Sequence, residues 1–310
     1  MKRRRFMRLT AGAFGLTLGQ AALCIPASSD AVARRRILVC SDLHIGHSAD
    51  DSGNKDGEEW FVDGLADLDA SAGRIDYATV LGDIAHTGEA SEYNSYLQAR
   101  EQSGITEWYE IAGNHDYWGE NTIDEYRELI NSHLTFGFID GNMLWLMLSD
   151  EEHSTGGEIG DATHGWVKSM IAEHKPDKNI IICSHQLVYE TVRKSTDHNR
   201  YMEPLDNISD ILETGAVDLW LSGHQHSMPW TREDRHYDGT TTFLNVASMT
   251  HAYDTLESQS FVLEFEQGAP IASARRRVHD KESYAQTLAV PLRVPVDLDG
   301  TSRREIIIPS

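Results

Sequence analysis

Five short apolar runs in this chain each stop at a cluster of Asp, His or Asn, and that repetition limits the folds open to it. Arg36-Ile37-Leu38-Val39-Cys40 leads to Asp42-Leu43-His44, residues 77–81 lead to Gly82-Asp83, and residues 108–111 lead to Gly113-Asn114-His115-Asp116. Residues 179–183 lead to His185, and residues 217–221 to Gly223-His224-Gln225-His226. Runs of this length, rich in β-branched and aromatic residues, read as buried strands of an α/β sheet. Ligands of such sheets bind outside the carboxyl ends of the strands. The polar residues therefore collect at the one edge where a site is expected, and their types suit a metal.

The rest of the chain supplies the elements that carry these strands. Residues 46–59 are polar, Gly-containing and without periodicity, so they read as a loop beside the first motif. Trp60, Phe61, Leu65 and Leu68 recur at amphipathic helical spacing. Residues 89–104 and 121–133 behave similarly, with Asn121-Thr122-Ile123-Asp124-Glu125 offering capping side chains and early acids. Helices are also expected at 166–174, ended before Pro176, and at 204–214, stopped by Gly215. Further strands are expected at 143–148, 242–246, 261–265 and 271–278, the last two joined around Gly268. From Thr287 on, where Pro291 and Pro295 fall, the chain reads as irregular. Strand and helix alternate first and strands cluster later, which predicts an α/β fold of two sheets in contact with flanking helices. One domain over residues 34–310 accommodates all of this.

Charge narrows the ligand. The 310 residues carry 27 Lys and Arg against 49 Asp and Glu, a formal net charge of −22. Nucleic-acid affinity depends on Lys and Arg displacing counterions from phosphates, so no duplex partner is expected, whereas a small phosphate ester or a locally positive metal site is compatible. Cys40 and Cys183 end two expected core strands and read as small buried hydrophobes.

Residues 1–33, which include Cys24, are set apart as a leader. They combine a basic start, a mildly apolar stretch interrupted by Gly12, Gly15 and Gly19, and a small-residue cleavage site at Ala31-Val32-Ala33. Arg3-Arg4-Arg5-Phe6-Met7-Arg8 resembles a twin-arginine (Tat) signal. That resemblance implies the Tat translocase as a partner in export and a periplasmic, extracellular or cell-surface destination, with no stable membrane insertion after cleavage. A general secretory leader and an uncleaved anchor are the alternatives.

Asp42, His44, Asp83, Asn114, His185, His224 and His226 together offer two carboxylates, one amide and four imidazoles. Two cations about 3.5–4 Å apart can clamp both the attacking and the leaving oxygen of an in-line displacement at phosphorus. Holding two such charges together calls for a shared carboxylate, and Mn, Fe and Zn accept the imidazoles readily. In the spacings Asp-x-His and His-x-His both side chains project to the same side of an extended segment, so they can converge at a strand end.

In this order and spacing the five blocks resemble the calcineurin-like metallophosphoesterase superfamily, whose pattern is D-x-H, G-D, G-N-H-[DE], H and G-H-x-H, over roughly residues 36–280. The resemblance implies two stacked mixed β-sheets flanked by helices, a four-layer αββα sandwich. It implies a metal-dependent phosphoric ester hydrolase that cleaves a small phosphodiester or phosphomonoester with a metal-bridging hydroxide. The cofactors would be two divalent or trivalent ions, Mn, Fe or Zn. Carried over by position, Asp42, His44 and His226 would bind one ion and Asn114, His185 and His224 the other, with Asp83 bridging them. His115 would protonate the leaving oxygen or stabilise the phosphoryl charge.

One position departs from the pattern. Many members carry an Asp three residues after the bridging Asp83, where it orients the catalytic His, but His86 stands there in this chain. Either His86 contacts the substrate phosphate, or Asp116 or water orients His115. His47 and His251 could also reach the site. Tyr117-Trp118 could pack over a substrate base, with core packing the stronger expectation. Two other readings are a metal-dependent nuclease on the same scaffold, opposed by the acidic charge, and a non-catalytic binding module, opposed by the complete donor set.

Overall fold

Three of the motif strands lie in one sheet and two in another, so the motifs meet only where two stacked sheets bring their carboxyl edges together. A computed structural model of the chain has this arrangement; it describes residues 32–48, 55–118, 123–149, 157–226, 234–250, 257–299 and 306–309. In chain order the strands are β1 (Arg34–Cys40), β2 (Tyr77–Leu81), β3 (Trp108–Ile111), β4 (Thr135–Asp140), β5 (Met143–Leu148) and β6 (Asn179–Ser184). They continue with β7 (Val217–Ser222), β8 (Arg235–Tyr237), β9 (Thr242–Asn245), β10 (Gln259–Glu266), β11 (Ile271–Val278) and β12 (Ser283–Pro291). The helices are α1 (Gly57–Ser71), α2 (Ala90–Gln102), α3 (Asp124–Leu129), α4 (Asp161–His174) and α5 (Leu205–Leu212).

The first sheet has the order β12-β11-β10-β1-β2-β3, with β1, β2 and β3 parallel and the remaining strands added antiparallel. The second has the order β4-β5-β6-β7-β9-β8, with β5, β6, β7 and β9 parallel and an antiparallel strand at each edge. Both sheets are therefore mixed. Ile37, Val39 and Phe261 of the first face Trp145, Ile181 and Leu219 of the second across a common core. The alternate residues Leu38 and Cys40 turn outward onto Phe61 and Leu65 of α1 and onto Tyr93 and Tyr96 of α2. On the far side Ile180 and Ile182 pack against Val167, Ile171 and Ile208 of α4 and α5. Burial on both faces explains why the strands are continuously apolar rather than alternating.

The structure corrects the sequence reading at its edges. The stretch expected as a loop to residue 59 ends sooner, because the Asp56 carboxylate accepts from Glu59 N at 2.7 Å and starts α1 at Gly57. The segment expected to be irregular from Thr287 on continues β12 to Pro291, paired antiparallel with β11 from Ile271↔Pro291 to Val278↔Ser283. A proline is tolerated there because it sits at the end of an edge strand. The helix expected over 121–133 is described only as α3, with Asp124 and Glu125 in its first turn; Asn121 and Thr122 lie outside the described residues. Cys40 and Cys183 are buried free thiols, as expected, and burial pushes both well above the ordinary thiol range. The leader residues 1–31 also lie outside the described part of the chain.

Candidate metal centre

The chain turns sharply after β1, β2 and β7, and the backbone records it. Asp42, His44, Asp83, His224 and His226 have φ of 53°, 44°, 51°, 62° and 48°, a left-handed conformation that costs a residue with a side chain about 1–2 kcal/mol. Such strain persists only where the surroundings over-determine it, and here they do. Asp42 N donates to Gly82 O and His44 N to Asp83 O, each at 3.0 Å, stitching the first two motif loops together. The hydroxyl of Ser248 donates to Asp42 O at 2.8 Å. His224 N donates to Asp42 Oδ2 at 3.0 Å and so ties the second sheet to the first. Gly82, at φ 86°, is needed for the close approach: a Cβ there would lie 2.7 Å from both Gly113 N and His185 Nδ1.

These turns aim the seven expected donors at one place. His185 Nδ1–H donates to the carbonyl of Leu81 at 2.7 Å, which turns Nε2 toward the other donors. That Nε2 lies 3.1 Å from Asp83 Oδ2 and 3.2 Å from Asn114 Oδ1. In a second group, His226 Nε2 lies 3.0 Å from Asp42 Oδ1 and 3.1 Å from His44 Nε2. The two groups Asp42, His44, His226 and Asp83, His185, His224 each bring one ligand atom per residue within 4.8 Å of one another. Asp83 joins them, since its Oδ2 is also 3.9 Å from His44 Nε2. Facing acceptors in a buried site repel unless protons or cations stand between them, and this nitrogen and oxygen set suits a borderline divalent metal. The residues present fit a metal.

Burial drives the His44 imidazole well below its ordinary pKa, and burial with the neighbouring His185 brings His224 down to about 3. Both are then neutral near pH 7, the form that ligates metals. Burial works against ionisation of Asp42 and Asp83, but His226 beside Asp42 and His185 beside Asp83 outweigh it, and both carboxyls lie below the usual range.

His115 stands apart from the donors but is tied to them: its backbone N donates to Asp83 Oδ1 at 2.8 Å. Its Nδ1–H donates to the main-chain carbonyl of His86 at 2.7 Å. The orienting group is therefore neither Asp116 nor the His86 ring. Asp116 instead accepts from Gly113 N at 2.9 Å, Ala85 N at 3.1 Å, Ile84 N at 3.3 Å and the Tyr93 hydroxyl at 3.1 Å, clamping the second and third motif loops. Burial, then the nearby Asp83, push its carboxyl up to about 7.

The His86 ring stacks on His115, with centroids 5.5 Å apart, and meets the His47 ring edge-on at 5.0 Å. Burial, then His115 and His47, bring His86 down to about 4. The expected aromatic pair divides: Tyr117 packs in the core, whereas Trp118 is exposed with its ring 4.2 Å from His115. His251 lies outside the described residues. The sequence reading missed Ser248, and Asn245, whose amide donates to Ser222 O at 3.2 Å and to Gly223 O. Asn245 ends β9 and Ser248 follows it at the same carboxyl edge, which was the available signal.

Comparison with known proteins agrees with this geometry. Residues 35–228 match the family described as calcineurin-like phosphoesterase. No curated protein gives a significant sequence match. Purple acid phosphatase PPD1 from yellow lupin (Lupinus luteus) seeds superposes with a TM-score of 0.60 at 12% identity, covering 84% of this chain and 54% of that chain. The chain thus spans about half the length of the plant protein. GAP50, the anchor in the inner membrane complex of Plasmodium, superposes with a TM-score of 0.60 at 12% identity, over 84% of this chain and 89% of that one. At such identities the likeness shows the fold alone. The family match runs from the start of β1 to just past His226, so it takes in every motif that builds the site: the chain belongs to the calcineurin-like phosphoesterase family.

Proposed function

We propose that the protein is an exported hydrolase that holds two metal ions and cleaves a small phosphodiester or phosphomonoester. The observation that carries this reading is the position of Asp83, whose Oδ2 faces His185 of one donor group at 3.1 Å and His44 of the other at 3.9 Å. One carboxylate is thereby available to both groups. Asp42, His44 and His226 would hold one ion, Asn114, His185 and His224 the other, and Mn, Fe and Zn all suit this set. Such ions supply Lewis acidity toward the phosphoryl oxygens and lower the pKa of water toward neutrality.

The chain's own residues supply the rest. Burial keeps His44 and His224 neutral and ready to ligate. His115, fixed through Nδ1, would deliver a proton to the leaving oxygen as a general acid. The arginine-led signal at residues 3–8 supports export through the Tat translocase, with cleavage after Ala33. The net charge of −22 supports a small ester over a nucleic-acid duplex.

A second reading, a catalytically silent scaffold, is favoured by the neighbour described as an anchor, GAP50. The intact donor set speaks against it. The discriminating experiment is hydrolysis of p-nitrophenyl phosphate and of bis(p-nitrophenyl) phosphate by metal-replete protein, with elemental analysis of the same sample. Hydrolysis of at least one ester is expected, lost on chelation and regained on adding back metal. If neither ester is cleaved in a chelator-sensitive way, the scaffold reading takes its place.

A further inference from the structure

We propose that Trp118 is a specificity-determining residue that stacks against an uncharged planar aromatic ring carried by the ester group of the substrate. Aryl or nucleoside esters would then be preferred over alkyl ones. The inference rests on the phosphoesterase reading and names the substrate class of that same site.

Trp118 is 54% exposed, the most exposed large apolar side chain among the described residues. Indole is costly to leave in water, since aromatic side chains bury about 150–250 Å² each where they are packed. Its position is nonetheless fixed. Trp118 N donates to His115 O at 3.0 Å and closes the single 3₁₀ turn Asn114–Tyr117 that also carries His115. The indole lies 4.2 Å from the His115 ring, centroid to centroid, tilted by 51°. Because His115 is the residue proposed to deliver a proton to the leaving oxygen, a group attached to that oxygen passes within reach of the indole.

Charge selects among the groups that could lie there. Beyond His115 the ring contacts continue through His86 to His47, which lines a groove of about 330 Å³. That groove carries Asp56, Glu58 and Glu92, and none of the described residues lining it is Lys or Arg. An anionic leaving group such as a diphosphate would be repelled along this wall, whereas a neutral ring would find faces to stack on. A π-face offered at a fixed distance from the proton donor is therefore matched to a benzenoid or nucleobase ring.

The test uses two esters whose leaving alcohols are alike in size and acidity and differ in having a π-face: methyl benzyl phosphate and methyl cyclohexylmethyl phosphate. Wild type is expected to favour the benzyl ester about ten-fold in kcat/KM, the order that stacking on one aromatic side chain supplies. Trp118→Ala should collapse that ratio toward one and Trp118→Phe should keep most of it. Because the ratio is taken within one preparation, a partly unfolded variant does not disturb it. Adenosine 5′-phosphate against ribose 5-phosphate distinguishes a nucleoside from a simple aryl group. A wild-type ratio near one, or a ratio unchanged in Trp118→Ala, overturns the proposal. If no phosphoester is cleaved at all, the phosphoesterase reading falls and binding decides Trp118 by itself. Adenosine should quench the intrinsic tryptophan fluorescence of wild type and not that of Trp118→Phe, and equal quenching overturns the stacking role.

Discussion

His115 is oriented by the backbone of His86 and not by its side chain: Nδ1–H of the first meets the carbonyl oxygen of the second at 2.7 Å. A carbonyl fixes the tautomer and the ring plane as a carboxylate would, but places no full negative charge behind the imidazole. The His86 ring can therefore be changed without removing the orienting contact.

That separation predicts unequal kinetics. His86→Ala should lower kcat by less than about 10-fold, whereas His115→Ala, which removes the proton donor, should lower it by about 10²–10⁴-fold. Both variants should keep the wild-type metal content, because neither ring belongs to the expected ligand set. Steady-state kinetics beside elemental analysis decides this, and a loss in His86→Ala as deep as in His115→Ala would give the His86 ring a role of its own in catalysis.

Asp83 carries the most weight among the donors, since its carboxylate faces both His185 and His44 and its Oδ1 also receives His115 N at 2.8 Å. Asp83→Asn should drop the bound metal below two equivalents while leaving the fold intact. Metal binding at 100 times Kd adds about 2.7 kcal/mol per site to stability. Thermal unfolding of wild type should therefore rise on metal addition and fall on chelation, and Asp83→Asn should show less than half of that response. A variant that retains two ions and the full shift would remove Asp83 from the shared position.

The left-handed turns predict an inverted glycine effect. His226 sits at φ 48°, where Gly is relieved of a penalty of about 1–2 kcal/mol that any side chain bears. In metal-free protein His226→Gly should be more stable than His226→Ala by about 1 kcal/mol, although glycine ordinarily loses to alanine. Urea unfolding in excess chelator measures this difference. Alanine proving the more stable of the two would mean that the turn relaxes once the imidazole is gone.

Most of the strands and the residues at their carboxyl ends were legible because they lie where the sequence signal is strongest. β2, β3, β6, β7 and the part of β1 after its three arginines are almost wholly buried, so their composition is mostly apolar, and a polar residue just beyond them has few roles other than function. Edge strands give a weaker signal. β8 is exposed along all three of its residues, β12 ends in Pro291, and β4 is interrupted by Gly137, so none was read as a strand. The contacts of His115 were illegible for a different reason. A main-chain carbonyl is offered by every residue, so nothing in the identity of His86 could show that its oxygen would be the acceptor. Asp116 was read as an alternative orienter for His115, yet its carboxylate is spent on Gly113 N, Ala85 N and Ile84 N, a clamp that depends on two loops meeting in space.

A second constellation shows why geometry needs access before it implies chemistry, and it gives a prediction about acid stability. His279 Nδ1–H donates to Asp67 Oδ2 at 2.8 Å, and Ser260 Oγ lies 3.0 Å from His279 Nε2, the connectivity of a Ser-His-Asp triad. Ser260 is fully buried on β10, so no substrate reaches it, and Arg277 Nε grips the same carboxylate at 2.7 Å. The cluster is a strut between α1 and the β10–β11 hairpin. Burial holds the His279 imidazole below its ordinary pKa; burial opposes ionisation of Asp67, but Arg277 and His279 bring it down to about 2. Both folded-state values lie below the unfolded ones. As pH falls below about 6.5 the unfolded chain takes up a proton on His279 that the folded chain resists, so stability declines from that pH downward. The contribution of Asp67 persists further, lost only as pH falls through the carboxylate range toward about 2. His279→Gln should therefore be less stable than wild type by about 1–3 kcal/mol at pH 7.5, through the hydrogen bonds it breaks. The gap should narrow between pH 6.5 and pH 5, where only wild type pays for keeping His279 neutral. Denaturant titrations of both proteins in excess chelator cancel the titration of the metal-site histidines. A gap that stays constant over this range would mean that folding leaves the proton affinity of His279 unchanged.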